Sequence, residues 1–315
     1  MKSVMLFAVI AALAAAGIYA GEEKEPPKPD APAKTELKSD KDIASYALGQ
    51  DFGNKVKMFA GDLNLDVMSA AFKDAVSGKE PKMKEAELAA AQDKFRAFLQ
   101  AKQADPTKTP ALDKKDDVSY AMGWTVGENL KQFSDSLNVD LVSGAFVAAA
   151  KGEKSDFKVE EHQAAVQAYF KKMMEDFGAK TKKTGEDFLA ENKKKEGVVT
   201  TASGLQYKVL NEGKGEKPSG NDRVSVVYEG RFINGHVFDS TAKNGGKPLE
   251  TSVAGGVIQG WLEALKLMPV GSKWELYIPG DLAYGPTGYG NTIPPNAVLI
   301  FQVEVVDMKK AEAQK

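Results

Sequence analysis

The sequence predicts an α+β protein: an all-helical N-terminal region with two copies of one helical unit, then an antiparallel β-sheet packed on one short helix. Two observations carry this reading. The stretch from Lys41 to Gly78 recurs at Lys115 to Gly152 at a constant offset of 74 residues, Tyr46 to Tyr120, and both copies space their apolar residues as helices do. From Gly204 onward the apolar period drops to two, the spacing of strands with one buried face. A chain of 315 residues has room for two or three such bodies.

Met1 to Ala20 reads as a secretory signal peptide. Lys2 gives a charged start, Val4 to Ala20 carries no charge, and the stretch closes on Ile18-Tyr19-Ala20. An uncleaved anchor is the competing reading, since the run approaches the length that spans a bilayer. Its Ala-rich, weakly apolar composition favours cleavage. Residues 21–38, rich in Pro, Lys and Glu, cannot bury enough apolar surface to order themselves and are expected to form a disordered tether.

Helical repeat 1 is expected over 39–105. Ile43, Tyr46, Ala47, Phe52 and Val56 form its first stripe, with Ser39 or Asp40 as the cap. A second helix follows from Leu65 to Val76, with Gly78 just past its end, and a third from Glu85 to Gln103. Pro106 and Pro110 then break the chain. Repeat 2, with a linker helix, is expected over 113–196, its third helix starting near Glu160 and reaching about Glu196, with Gly178 and Gly185 as candidate kinks. Gly49-x-x-x-Gly53 and Gly123-x-x-x-Gly127 set two small residues on one helix face. Spacing alone favours ordinary close packing within each copy; the sharper reading is that another helix approaches there.

The β-rich segment is expected over 197–309, with a tail at 310–315. Val224, Val226 and Tyr228 alternate with polar or outward residues, as do Trp274, Leu276 and Ile278, and then Leu299, Phe301, Val303 and Val305. Asn234-Gly235, between Phe232 and Phe238, suits a type I′ hairpin turn. Ile258, Trp261, Leu262 and Leu265 make the one short helical stripe.

A formal net charge of -2 and a hydrophobic fraction of 43% suit a soluble globular protein and argue against nucleic acid as a partner. With no Cys, disulfides and lipidation at an N-terminal Cys are excluded. His162 and His236 have no partners at metal-ligand spacing, so neither a metal nor a cofactor is expected.

The chemistry lies in residues 228–261 and 279–301. Both set apolar and aromatic side chains among Gly/Pro loops, with no candidate nucleophile–base pair. Such residues suit reactions that a shaped, dry pocket promotes by itself. The leading one is rotation about an X–Pro bond, whose barrier of roughly 18–20 kcal/mol needs no covalent help to lower. Taken singly, each aromatic is more simply a core residue, and Asp239 a turn cap or solvated carboxylate. The ordered set decides otherwise.

That set is Val227-Tyr228-Glu229-Gly230, Val237-Phe238-Asp239-Ser240, Val257-Ile258-Gln259-Gly260-Trp261, Leu282-Ala283-Tyr284-Gly285, Ile293-Pro294-Pro295-Asn296 and Leu299-Ile300-Phe301. In order and spacing, residues 197–309 resemble an FKBP-type peptidyl-prolyl cis-trans isomerase along their whole length. The N-terminal half is similar to the helical dimerisation segment of the secreted bacterial macrophage infectivity potentiator-like group. Its Ser-Tyr-Ala-x-Gly signature stands here twice, at 45–49 and 119–123, where the group usually has one copy.

The resemblance implies a prolyl pocket lined by Tyr228, Phe238, Val257, Ile258, Trp261, Tyr284 and Phe301, with Trp261 as floor and Asp239 at the edge. The Tyr284 hydroxyl and the Ile258 N–H would hold substrate carbonyls, and Ile293 would join the rim. Leu249 stands where well-studied members carry an aromatic residue and Tyr289 where they carry His; both would lie on the rim and alter inhibitor affinity and preference for the residue before proline. Rapamycin- and tacrolimus-type ligands are implied for the same pocket.

The expected function is peptidyl-prolyl isomerisation assisting the folding of exported proteins, in the periplasm or at the cell surface, on unfolded or proline-containing polypeptides. The alternatives are a holdase whose helical region binds unfolded clients, with isomerisation incidental, and a surface adhesin, for which the sequence offers no motif. The duplication raises an assembly question. A tethered second copy acts at high effective concentration, so the two copies could pair as an intramolecular pseudo-dimer. Exchange of equivalent helices between chains would instead give a homodimer.

Overall fold

The computed structural model describes residues 37–105, 109–290 and 292–311. The expected signal peptide, nearly all of the tether and most of the tail lie outside these residues. The chain divides into two compact units at Met174/Glu175.

The first unit contains helices α1 (Asp40–Val56), α2 (Leu65–Val76), α3 (Glu85–Ala104), α4 (Lys115–Leu130) and α5 (Val139–Lys151), and the start of α6 (Gln163–Asn192). Three helix starts are set by short polar side chains that satisfy otherwise unpaired N–H groups. The Ser39 hydroxyl accepts from Asp42 N–H, and the Asn64 and Asn138 amides accept from Val67 and Leu141 N–H. Gly78 and Gly152 follow α2 and α5 with φ of 78° and 76°, a left-handed conformation that glycine adopts without strain.

The two copies do not pack as separate bundles. Helix α1 of copy one lies against α5 of copy two, and α4 of copy two lies against α2 of copy one. The polar contacts repeat with the 74-residue offset. Asn64 N–H donates to Ser119 Oγ at 2.8 Å and Asn138 N–H to Ser45 Oγ at 2.9 Å. The Asn64 amide donates to Asp116, and the Asn138 amide to Asp42. Ser69 and Ser143, equivalent positions, meet each other at 2.5 Å. A contact between equivalent residues marks a local two-fold axis relating the copies.

This arrangement corrects the expectation for the glycine pairs. A Cβ on Gly53 would fall 2.6 Å from Ala149 Cβ, and one on Gly127 2.6 Å from Ala75 Cβ and 2.5 Å from the Phe72 carbonyl oxygen. The glycines mark the crossing between copies, not packing within each. The same crossing explains the buried face of α1, which consists of Ala44, Ser45, Ala47, Leu48, Gly49 and Gly53. Of the expected stripe Ile43, Tyr46, Ala47, Phe52 and Val56, only Ala47 is fully buried. Close helix approach favours the small face over the bulky one.

Phe52 and Val56 instead line an apolar cavity of about 210 Å³. Phe52 and Val126, Met68 and Val142, and Phe72 and Phe146 all line it, and each pair is related by the offset, so it lies where the copies meet. Phe95 and Leu99 of α3 also contribute. The third helices of the copies differ: α3 has 20 residues, whereas α6 has 30 and stays helical through Gly178 and Gly185.

The second unit is a seven-stranded antiparallel sheet with one helix on a face. Its strands are β1 (Val198–Thr200), β2 (Gln206–Asn211), β3 (Arg223–Phe232), β4 (Val237–Ser240), β5 (Leu249–Ser252), β6 (Lys273–Ile278) and β7 (Leu299–Lys309). They are ordered β1-β2-β6-β7-β3-β4, with β5 also paired to β3. The alternating residues Val224, Val226, Leu276, Ile278, Leu299, Val303 and Val305 are buried as expected. They pack with Trp261, Ala264 and Leu265 of α7 (Gln259–Leu267).

Two details depart from the sequence reading. Tyr277, on the other face of β6, is also buried, and Phe188 of α6 lies 6.1 Å from its ring. The Asn234-Gly235 turn is not type I′, which would need positive φ at both residues; only Gly235 has it, at 85°. Gly235 N–H donates to Phe232 O and Phe232 N–H to His236 O. That pattern is a type I turn closed by a left-handed glycine. His236 N–H donates to Asn234 Oδ1, which holds Asn234 out of the left-handed region.

Candidate active site

Most of the expected pocket residues converge on the face of the sheet that α7 covers. Tyr228 comes from β3, Phe238 and Asp239 from β4, and Phe301 from β7. Val257 and Ile258 come from the segment before α7, and Trp261 from its first turn. In strands the period of two sends Tyr228 and Phe301 to the inner face with the core valines.

The rings meet edge to face. Tyr228 and Trp261 centroids are 5.2 Å apart at 81°, Trp261 and Phe301 5.2 Å at 83°, and Phe238 and Phe301 5.6 Å at 89°. Such geometry sets positive ring edges against negative faces. Val257, Ile258 and Tyr284 pack against the same core. A Cβ on Gly230 would meet the Phe238 ring at 2.8 Å, so glycine there lets the rings close over the strand.

Trp261 is 4% exposed, and its indole N–H has no acceptor among the described residues. Ile258 caps α7; its carbonyl accepts from Trp261 and Leu262 N–H, while its own N–H has no backbone acceptor among the described residues. An unpaired N–H at a helix start is a ready donor to a carbonyl.

One polar corner borders the rings. The Tyr228 hydroxyl donates to Asp239 Oδ2 at 2.8 Å, and the Asn244 amide donates to Asp239 Oδ1 at 2.9 Å and to the Tyr228 hydroxyl at 3.2 Å. Burial, reinforced by the Asp239 carboxylate, pushes the Tyr228 hydroxyl up to about 12. Burial, then Tyr289 and Asp239, also raises Tyr284. Both phenols are therefore neutral donors at physiological pH. The Tyr284 hydroxyl has no hydrogen-bond partner among the described residues, and its ring lies 4.9 Å from that of Tyr289.

The rim residues separate. Tyr289 is 63% exposed beside Tyr284. Ile293 is buried in the core cluster, and its N–H and carbonyl pair with Tyr289. Leu249 is exposed at the start of β5, opposite Val226, and does not belong to the ring cluster. Sequence reasoning passed over Asn244, which lies in a turn five residues after Asp239. Its one available signal is the Asn244-Gly245-Gly246 run of turn formers. Phe232 flanks the hairpin in sequence, and its ring lies 4.8 Å from that of Phe238.

Residues 214–306 match the family profile described as FKBP-type peptidyl-prolyl cis-trans isomerase. Residues 41–114 and 115–209 each match the profile of the domain amino terminal to that isomerase, one match per copy. The chain is 41% identical over 206 residues to the FKBP-type 22 kDa peptidyl-prolyl cis-trans isomerase of Escherichia coli, covering 64% of this chain and 98% of that one. It is 40% identical over 204 residues to the outer membrane protein MIP of Legionella longbeachae, covering 62% and 87%. It is 39% identical over 209 residues to the peptidyl-prolyl cis-trans isomerase Mip of Coxiella burnetii, covering 64% and 90%. With profile matches over residues 41–209 and 214–306, this chain belongs to the FKBP-type peptidyl-prolyl cis-trans isomerases.

Proposed function

We propose that residues 197–309 form the catalytic segment. Its pocket is made by Tyr228, Phe238, Val257, Ile258, Trp261, Tyr284 and Phe301, with Asp239 at the edge. The observation that carries this is the edge-to-face group of Tyr228, Trp261, Phe301 and Phe238 bordered by the Tyr228–Asp239–Asn244 corner. Amide resonance separates charge, so an apolar surface favours the twisted, less polar imide over the planar one. A groove complementary to the twisted state lowers the barrier by differential binding. The unpartnered Tyr284 hydroxyl and Ile258 N–H are suited to hold the carbonyls flanking proline. Catalysis then consists of desolvation and positioning, with no bond made to the enzyme. Rapamycin- and tacrolimus-type ligands should compete for this pocket. A protease-free exchange assay on an X–Pro peptide tests the assignment: Trp261→Leu in a folded chain should lose most of the acceleration, and wild-type rates in that variant would refute it.

The clients are proline-containing chains still folding after export. The expected signal segment 1–20 and the name of the Legionella longbeachae relative, an outer membrane protein, support periplasm or cell surface as the site of action. The mature chain acts as a monomer with one catalytic segment, because the pairing of α1 with α5 and of α2 with α4 joins copy to copy within one polypeptide. Sedimentation equilibrium at micromolar concentration should give the mass of one chain. A mass twice as large that persists on dilution would restore the homodimer.

A further inference from the structure

We infer that the C-terminal half of α6, outside the segment matched by the isomerase profile, belongs to the substrate-binding apparatus, with Asn296 as the positioning residue through which it acts. The inference rests on the pocket assignment proposed above.

Asn296 has φ of 58°, one of two non-glycine residues in the left-handed region among those described. Such a conformation costs free energy and persists where surrounding contacts fix it. Three contacts do so. Its N–H donates at 2.8 Å to the carbonyl of Gly285, the residue after Tyr284. Its backbone lies so close to Gly280 that a Cβ there would meet Asn296 C at 2.8 Å. Its side-chain amide reaches across 118 residues of sequence and donates at 3.0 Å to the carbonyl of Gly178 in α6.

The helix is itself fixed to the sheet. The Asn192 amide donates to Gln206, and the Gln206 amide donates to the Leu189 carbonyl at 2.9 Å. Two glycines let it approach the segment after Ile293. A Cβ on Gly178 would fall 3.2 Å from Pro295 Cβ, and one on Gly185 2.6 Å from Val298 Cγ2. Helix α6 thus holds one end of the stretch that carries Tyr284, Tyr289 and Ile293. Asn296 transmits that hold, through Gly285, to Tyr284, whose hydroxyl is expected to donate to substrate. Neither Asn296 nor α6 need touch the peptide.

The test uses the full chain and two proline peptides that differ only in the residue before proline, Ala-Pro and Leu-Pro. Asn296→Gly keeps the left-handed backbone and its N–H and removes only the side-chain bond to Gly178. It should retain the wild-type circular dichroism, lower kcat/KM by about fivefold, chiefly through KM, and change the Leu-Pro to Ala-Pro ratio by about threefold or more. Gly185→Ala alters the helix and no pocket residue, and should move the ratio in the same direction. If Gly185→Ala fails to fold, Asn296→Gly alone decides. A folded Asn296→Gly with the wild-type ratio, whether or not its rate falls, overturns the inference, because a purely structural loss lowers both substrates alike. A wild-type chain that catalyses neither peptide would overturn the pocket assignment instead.

Discussion

Gly127→Ala and Gly144→Ala are the same chemical change in two helices of one unit, and the structure gives them opposite signs. Alanine is favoured over glycine in a helix interior by about 1 kcal/mol. At Gly144, in α5, nothing lies within 4 Å of an added Cβ, so the full propensity gain should appear. At Gly127, in α4, the Cβ would stand 2.5 Å from the Phe72 carbonyl oxygen and 2.6 Å from Ala75 Cβ, both on the backbone or directly attached to it. Ordinary contact begins near 3.4 Å, so α4 and α2 must part by about 0.9 Å. A gap of that size forfeits a quarter to a half of each close dispersion contact, about 2–3 kcal/mol over a few tens of atom pairs. That loss exceeds the propensity gain and leaves a net destabilisation of about 1–2 kcal/mol, within the range for overpacking. Thermal melts of the full chain followed by far-ultraviolet circular dichroism should therefore show the helical transition falling by about 3–8 °C for Gly127→Ala and rising by about 2–4 °C for Gly144→Ala. If both variants melt higher than wild type, α4 does not cross α2 at this distance and the paired copies are wrong.

Other expectations follow from the same contacts. Asn244→Ala should lower kcat/KM by about five- to tenfold in a folded chain, because Asp239 and Tyr228 lose a shared donor; the protease-free exchange assay measures it. Tyr228 has a raised folded-state value near 12 against an ordinary 10.0, so its contribution to stability is complete below pH 10 and lost as pH rises towards 12. Urea unfolding should show the stability advantage of wild type over Tyr228→Phe shrinking across that window. Val126→Leu adds one methylene to the cavity of about 210 Å³ where the copies meet and should raise the urea midpoint with unchanged slope, a stability gain of about 0.8 kcal/mol if the new group is fully buried.

Much of the fold is written in local signals. The bounds of α2 and the alternation along β3, β6 and β7 follow from period and caps, which act over a few residues. The duplication is equally plain, since the offset holds without a gap. What the sequence leaves open is set by contacts across long separations. The bulky residues of α1 suggest a buried stripe, yet the small face is buried because a helix of the other copy approaches there. Asn234-Gly235 suits a type I′ turn, but a side-chain acceptor for His236 N–H holds Asn234 at negative φ. Tyr277 looks outward by alternation and is buried where Phe188 of α6 lies beside it. In the pocket, the aromatic set is legible from its order along the chain. Asn244 is not, because its partners Tyr228 and Asp239 lie on strands whose pairing brings them together. Leu249 is named by position alone and is exposed on β5, opposite Val226.

The most direct test of the central claim is exchange spectroscopy of an X–Pro peptide with the full chain and with the folded double variant Asp239→Ala and Tyr284→Phe. The wild-type chain should accelerate cis/trans exchange, which without catalysis takes tens to hundreds of seconds at 25 °C. The double variant should lose about tenfold or more, the effect of two missing hydrogen-bonding groups. A double variant with intact circular dichroism and the wild-type rate would contradict the account, because isomerisation would then take place somewhere other than this pocket.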